Sequence, residues 1–112
     1  MGATDSNLNE ILELNPKETC GVKIFMGSST GDLLVDQDEA LEKIFRNTQL
    51  PITTHCEDNA IIAKNTKKFI EQYGEENLTS SMHYLIRSRS ACFESTKKAV
   101  ELLKEIAIDA DD

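Results

Sequence analysis

The order of predicted elements is helix, strand, helix, strand, helix, loop and helix, which indicates an α/β fold with two parallel strands and flanking helices. Two short runs with β-branched residues, at 20–26 and 50–55, predict the strands, and apolar residues at helical spacing predict the helices. Strands that alternate with helices pair in parallel through right-handed crossovers. Because a parallel sheet needs several strands and cover on both faces, we expect part of a larger α/β fold, or one completed by oligomerisation.

The first half of the chain is predicted to form a helix, a strand and a second helix. Residues 6–14 carry apolar side chains on one stripe, and Pro16 helps to end that helix. The strand "CGVKIFM" at 20–26 is followed by the turn-rich "GSSTGD". Asp36, three residues before Glu39, has the spacing of a helix-capping pair. The apolar positions of the helix that follows are Ala40, Leu41, Ile44 and Phe45.

The second half is predicted to form a strand, a long helix, a loop and a final helix. The strand "LPITTH" covers 50–55, and the next helix runs from about Asp58 to Tyr73 and ends at Gly74. Residues 75–88 have no apolar period and predict a loop. The final helix has the clearest stripe. Its members are Cys92, Thr96, Ala99, Val100, Leu103 and Ile106.

The composition excludes several classes of protein. A net charge of −8 argues against binding to nucleic acid or to anionic membrane surfaces, because both need clustered Lys and Arg. No apolar run approaches the ~18 residues of a membrane span, and the N-terminus lacks the layout of a secretory signal. The three cysteines are far apart and form no CxxC pair, which favours a reducing compartment. We therefore expect a cytoplasmic protein with no nucleic-acid or membrane partner.

The alternation of side chains along the strands places Lys23 and His55 on one face of the sheet. If Val22 and Ile24 pack on the helices, Lys23 points to the opposite face. His55 also points away from the helices when Ile52 packs on them. The two residues are about one βα repeat apart and can lie on neighbouring strands.

Each of these residues has a structural and a functional interpretation. A mid-strand lysine is costly to bury as an unpaired ammonium. Lys23 is therefore either a snorkelling lysine on an exposed edge strand or an amine that reacts with carbon dioxide to give a metal-binding carbamate. His55 is either a hydrogen-bonded loop histidine or a zinc ligand. His83, in the predicted loop, is interpreted as solvated.

Three stretches of the chain resemble dihydroorotase, a pyrimidine-synthesis family of the amidohydrolase superfamily. They are "GVKIFMGSSTGDLLVD" (21–36), "THCEDNAII" (54–62) and "LIRSRSACFES" (85–95). The resemblance spans essentially the whole chain. The chain departs from it at Tyr84, where a proline is expected, and at Ser90, where an acidic residue is expected.

The resemblance implies a TIM-like (β/α)₈ barrel, of which residues 1–112 are a fragment that covers strands four and five of the single barrel domain. It implies a zinc-dependent enzyme that reversibly cyclises N-carbamoyl-aspartate to dihydroorotate. It also implies partners, either further copies of the chain or aspartate transcarbamoylase. Hydantoinase and allantoinase share the barrel and metal chemistry, and a non-catalytic dihydroorotase-like scaffold is a further alternative.

The same resemblance implies roles for particular residues. Lys23 matches the lysine that many members carboxylate to bridge two metals, and His55 matches a metal-binding histidine, in a centre of one or two zinc ions. Thr30 of the "GSSTG" loop is a candidate hydrogen-bond donor to the substrate. The family's other metal-binding histidines and its general acid/base aspartate have no counterpart in this chain. Arg87 and Arg89 are interpreted as ion pairs at a helix start. We therefore expect no catalytic residue here, and no activity from the chain alone.

Overall fold

Two parallel strands form the centre of the structure. The computed structural model describes residues 1–27, 31–35 and 37–111. Strand β1 (Val22–Phe25) pairs in parallel with β2 (Ile52–His55), with Lys23 opposite Thr53 and Phe25 opposite His55. The parallel pairing predicted from the alternation of strands and helices is confirmed, although each strand is shorter than the sequence run that predicted it.

Strand β1 is an interior strand, because its second edge is also occupied. The Lys23 N–H donates to the Met1 carbonyl at 2.8 Å, and the Ala3 N–H donates to the Lys23 carbonyl at 2.9 Å. Further along the same strand, the Val35 N–H donates to the Phe25 carbonyl at 2.9 Å. Lys23 therefore lies in the middle of an interior strand, and the prediction of an exposed edge strand at this position is wrong.

Five α-helices surround the sheet in the described part of the chain. They are α1 (Leu8–Leu12), α2 (Asp38–Asn47), α3 (Asn59–Tyr73), α4 (His83–Ile86) and α5 (Arg89–Asp111). The N-cap of α2 is Gln37, not the predicted Asp36, which lies outside the described residues. The ends of α3 follow the prediction. The Asp58 side chain accepts a hydrogen bond from the Ile61 N–H at 2.9 Å, and Gly74 ends the helix with a φ of 85°.

The predicted loop at 75–88 contains short helical segments instead. Two 3₁₀ turns, Glu75–Asn77 and Ser80–Met82, precede α4. Segments of three or four residues are too short to show an apolar period, so the sequence gives no sign of them. They bring the chain back to the carboxyl end of β2, where α5 begins.

The core lies between one face of the sheet and helices α1, α2 and α5. Its fully buried side chains are Val22, Ile24, Val35, Leu41 and Ile44. Each large aliphatic side chain buried in this way contributes about 1.5–3 kcal/mol to folding. The apolar positions predicted for α2 are confirmed, because Leu41, Ile44 and Phe45 are all buried.

Helix α5 faces the core with a stripe that shares only Ala99 and Ile106 with the predicted one. It buries Ala91, Ser95 and Ala99, while Leu102 and Ile106 pack against the core. The predicted members that are exposed are Cys92, Thr96, Val100 and Leu103. Each exposed member of the predicted stripe directly follows a residue that faces the core, so the observed stripe is rotated from the predicted one by less than the ~100° between successive residues. The residues that α5 buries are small, which allows the helix to approach the core closely. The size of these side chains, and not their hydrophobicity, therefore decides which side of α5 faces the core.

Ion pairs to α2 are consistent with this orientation of α5. Lys98 pairs with Asp38 near the start of α2, and Arg46 Nη2 lies 2.6 Å from Asp109 Oδ2 near its end.

No described helix is both long enough and apolar enough to cross a membrane.

Candidate functional site

The structure places Lys23 and His55 on the same face of the sheet. Val22 and Ile24 point to the helices and are 1% and 0% exposed, so Lys23 points to the opposite face, where it is half-buried. His55 is the register partner of Phe25, which lies on the Lys23 face. Both side chains are thus on neighbouring parallel strands, and His55 is the last residue of its strand.

The Lys23 amine contacts an aromatic ring rather than an acid. Its Nζ lies 5.1 Å from the centroid of the Phe25 ring, a cation–π distance. Among the described residues Lys23 forms no ion pair. Within the described part of the chain, the Lys23 amine therefore contacts the Phe25 ring and pairs with no carboxylate.

His55 lies between an aromatic ring and a carboxylate. Its ring centroid is 6.0 Å from that of Phe25, with an interplanar angle of 35°. On the other side, its Nε2 lies 3.3 Å from Glu57 Oε2. The imidazole is 44% exposed and is therefore open to a ligand.

Glu57 connects His55 to a distant part of the chain. The Arg87 Nη1 donates to the same Oε2 at 2.5 Å, across 30 residues of sequence. Arg87 follows α4 and precedes α5, so the predicted ion pair at this helix start is confirmed for Arg87. Glu57 itself was missed from the sequence. The signal that could have found it is the word "HCED", which places a carboxylate two residues after the histidine.

Gly27 allows the ends of the two strands to lie close together. A Cβ at Gly27 would lie only 1.9 Å from the Glu57 carbonyl oxygen. The Met26 N–H also donates to the His55 carbonyl at 2.8 Å, which continues the ladder beyond β1. The backbone that carries Glu57 is therefore held against the end of β1 by a contact that only glycine permits.

Cys56 lies on the helix side of β2, as the alternation predicts. Its Sγ is 3.3 Å from Thr54 Oγ1 and 3.8 Å from Met26 Sδ. It is half-buried and packs against the core. Its thiol is therefore not part of the Lys23–His55 face.

The remaining predicted residues do not add to this face. Thr30 lies outside the described residues, and its role as a hydrogen-bond donor stays a prediction. His83 is exposed on α4. Within residues 1–27, 31–35 and 37–111, no group of three or more His, Cys, Asp or Glu side chains is arranged to hold a metal ion.

The donor chemistry of Lys23 and His55 fits part of a zinc centre. His55 supplies an imidazole nitrogen, and Lys23 would supply oxygen once its amine became a carbamate. A catalytic zinc ion usually has three protein ligands and one open position. Two donors on this face therefore make at most an incomplete site.

Comparisons with known proteins support the fold. No protein-family model matches the chain, and no curated protein matches it. Among solved structures, the chain is similar to D-hydantoinase with a TM-score of 0.75 and 23% sequence identity. The match covers 92% of this chain and 22% of the other, so this chain spans about a fifth of the length of that protein.

This similarity shows which part of the predicted architecture is present. The chain has the fold of one segment of D-hydantoinase, with two parallel strands and their helices. No closed barrel is formed by the described residues. At this level of identity the match reports the fold alone, and the chemistry has to be argued from the face that carries Lys23 and His55.

Proposed function

We propose that this chain contributes part of the metal centre of an amidohydrolase-type enzyme that hydrolyses cyclic amides. The observation that carries the proposal is the placement of Lys23 and His55 on one face of two neighbouring parallel strands. The similarity to a segment of D-hydantoinase supports it, because that protein is named for action on hydantoins. In parallel α/β folds, ligands bind beyond the carboxyl ends of the strands, where His55 lies.

Lys23 and His55 would hold zinc on this face. Lys23 would first add its neutral amine to carbon dioxide and lose a proton, which gives an anionic carbamate with two oxygen donors. His55 would donate a ring nitrogen. When bound, zinc supplies Lewis-acid polarisation of an amide carbonyl and a nucleophile at neutral pH. The role of both residues is ligation and not proton transfer.

Two substrates are compatible with this chemistry. The words "FMGSSTG" and "HCED" resemble dihydroorotase, which favours N-carbamoyl-aspartate and dihydroorotate. The structural similarity to D-hydantoinase supports a hydantoinase type equally. We propose dihydroorotase as the first assignment, because two sequence motifs resemble that family, and a hydantoinase type as the second.

Zinc binding by the purified chain tests the proposal. We expect His55→Ala and Lys23→Ala each to weaken zinc binding, measured by competition with a chromophoric chelator. His83→Ala is the matched control for the histidine, because His83 is exposed and lies away from the sheet. Lys67→Ala, on the exposed face of α3, is the control for the lysine. Unchanged zinc affinity in both His55→Ala and Lys23→Ala would refute the ligand assignment.

A non-catalytic scaffold is the second candidate function. Strands of a longer chain that carry the family's paired histidines would favour the enzyme, and a longer chain without those histidines would favour the scaffold. A scaffold of this type would bind a partner such as aspartate transcarbamoylase and need no zinc. Association with that enzyme, unchanged by His55→Ala and Lys23→Ala, would favour the scaffold over the hydrolase. Hydrolysis of dihydroorotate or hydantoin above a no-enzyme control would exclude it.

A further inference from the structure

We infer that Glu57, anchored by Arg87, is a positioning residue that fixes the orientation of the His55 imidazole. The inference rests on the proposed function for its purpose, because His55 is there a metal ligand. Its evidence is the contacts among the side chains of His55, Glu57 and Arg87, which meet at the carboxyl end of β2.

The His55 ring is restricted by a neighbour on each side. At 44% exposure, a histidine on the last residue of a strand has room for several rotamers. Phe25 limits the ring on one side, at 6.0 Å between centroids. Glu57 Oε2 limits it on the other, 3.3 Å from Nε2. The two contacts together select one orientation of the ring.

The Glu57 carboxylate that makes this contact is itself anchored. Glu57 is only 18% exposed, and its Oε2 also accepts from Arg87 Nη1 at 2.5 Å. A charge-assisted hydrogen bond of this length is among the stronger side-chain contacts. The backbone of Glu57 is fixed as well, because it packs so closely against Gly27 that a side chain at position 27 would clash with it. The Glu57 side chain is therefore fixed both at its backbone and at its carboxylate, so it can determine the orientation of the His55 ring.

The contact with Glu57 leaves one ring nitrogen of His55 for a metal. A carboxylate accepts hydrogen bonds, so Nε2 carries the proton that points to Oε2. The lone pair of the neutral ring is then on Nδ1. Metal-binding histidines commonly donate their other ring N–H to a carboxylate, which fixes the tautomer and the ring orientation. The pair Glu57 and Arg87 thus leaves the Nδ1 lone pair of His55 for a metal.

Nuclear magnetic resonance of the imidazole nitrogens tests this inference without any metal. The chain has only two histidines, so ¹⁵N-histidine labelling reports His55 and gives exposed His83 as an internal reference. We expect Glu57→Ala to shift the His55 nitrogen signals while those of His83 stay in place. Arg87→Met should produce a shift in the same direction, because it releases the carboxylate. His55 signals that superimpose on the wild type in Glu57→Ala would overturn the inference.

Two further variants separate positioning from a general structural effect. Glu57→Gln keeps the length and one oxygen acceptor, so its His55 signals should stay nearer to the wild type than those of Glu57→Ala. It also serves as the test variant if Glu57→Ala does not fold. Glu71→Ala removes the exposed Lys67–Glu71 pair on α3 and should leave both histidines unchanged. Equal shifts in Glu57→Gln and Glu57→Ala would contradict the role of the acceptor oxygen.

Titration with Zn²⁺ separates this inference from the proposed function. We expect the metal-induced change in the wild type at Nδ1 of His55, and zinc affinity about 10–100-fold weaker in Glu57→Ala. Zinc binding through Nε2, or equal affinity in both proteins, would overturn the inference and leave the metal site intact. If Zn²⁺ shifts the signal of neither ring nitrogen of His55, the metal site itself is contradicted. The metal-free spectra would still test whether Glu57 orients the His55 ring.

Discussion

The two faces of the sheet differ in what their side chains do. On the helix face, Val22 and Ile24 are almost completely buried and pack among aliphatic residues of the helices. On the other face, Lys23 and Phe25 are half-buried and His55 is 44% exposed. One face supplies the free energy of folding, and the other carries amine and imidazole groups that contribute little to it. Neighbouring residues of one strand can therefore be changed with very different effects on stability and on metal binding.

The largest effect should come from the helix face. Ile24→Ala removes a side chain that is 0% exposed, and we expect it to lower the free energy of unfolding by about 2–5 kcal/mol. Lys23→Ala, one residue earlier, should lower it by much less, because its side chain is only half-buried. Urea unfolding of both variants checks this. Similar losses in the two variants would mean that the two faces do not differ in the way described.

A smaller loss is expected where the two strand ends meet. In Gly27→Ala the new Cβ would lie 1.9 Å from the Glu57 carbonyl oxygen, so the backbone has to move. We expect a loss of about 1–3 kcal/mol, as for overpacked sites. The same movement should displace Glu57 and weaken its contact with His55, visible as a shift of the His55 imidazole signals. Gly21→Ala is a useful comparison, because its Cβ would meet the Pro51 carbonyl oxygen at 2.7 Å, a milder clash at the other end of the strand.

The α5 helix allows the same comparison on one element. Leu102 packs against the core, whereas Leu103 is 48% exposed. We expect Leu102→Ala to lower the free energy of unfolding by about 1–2 kcal/mol, and Leu103→Ala to change it by no more than about 0.5 kcal/mol. Thermal or urea unfolding distinguishes them. A larger loss of unfolding free energy in Leu103→Ala than in Leu102→Ala would instead support the stripe predicted from the sequence.

The sequence predicts the features that depend on local alternation. Strands β1 and β2, and the shared face of Lys23 and His55, follow from side chains that alternate along each strand. The ends of α3 follow from Asp58 and Gly74, whose capping chemistry acts within a few residues. These features need no knowledge of how distant parts of the chain meet.

Features that depend on tertiary packing were not predictable in the same way. The Arg87–Glu57 pair joins residues 30 positions apart and exists only because the segment after α4 returns to the end of β2. The rotation of α5 depends on how closely a helix with Ala91 and Ala99 can approach the core, which an apolar pattern does not report. The interior position of β1 depends on residues 1–3, which contain no strand signal of their own.

The smallest effect is expected on the exposed surface of α2, far from both faces of the sheet. Lys43 hydrogen-bonds Glu39 and attracts its charge, which lowers the pKa of that carboxyl below its ordinary value of 4.5. A depressed pKa in the folded chain stabilises it above the ordinary pKa, and this contribution is lost as the pH falls through the folded value. We expect Glu39→Gln to reduce stability slightly near neutral pH and to converge with the wild type in acid. Urea unfolding across this pH range checks it, and a difference that grew as the pH fell would contradict the assigned sign.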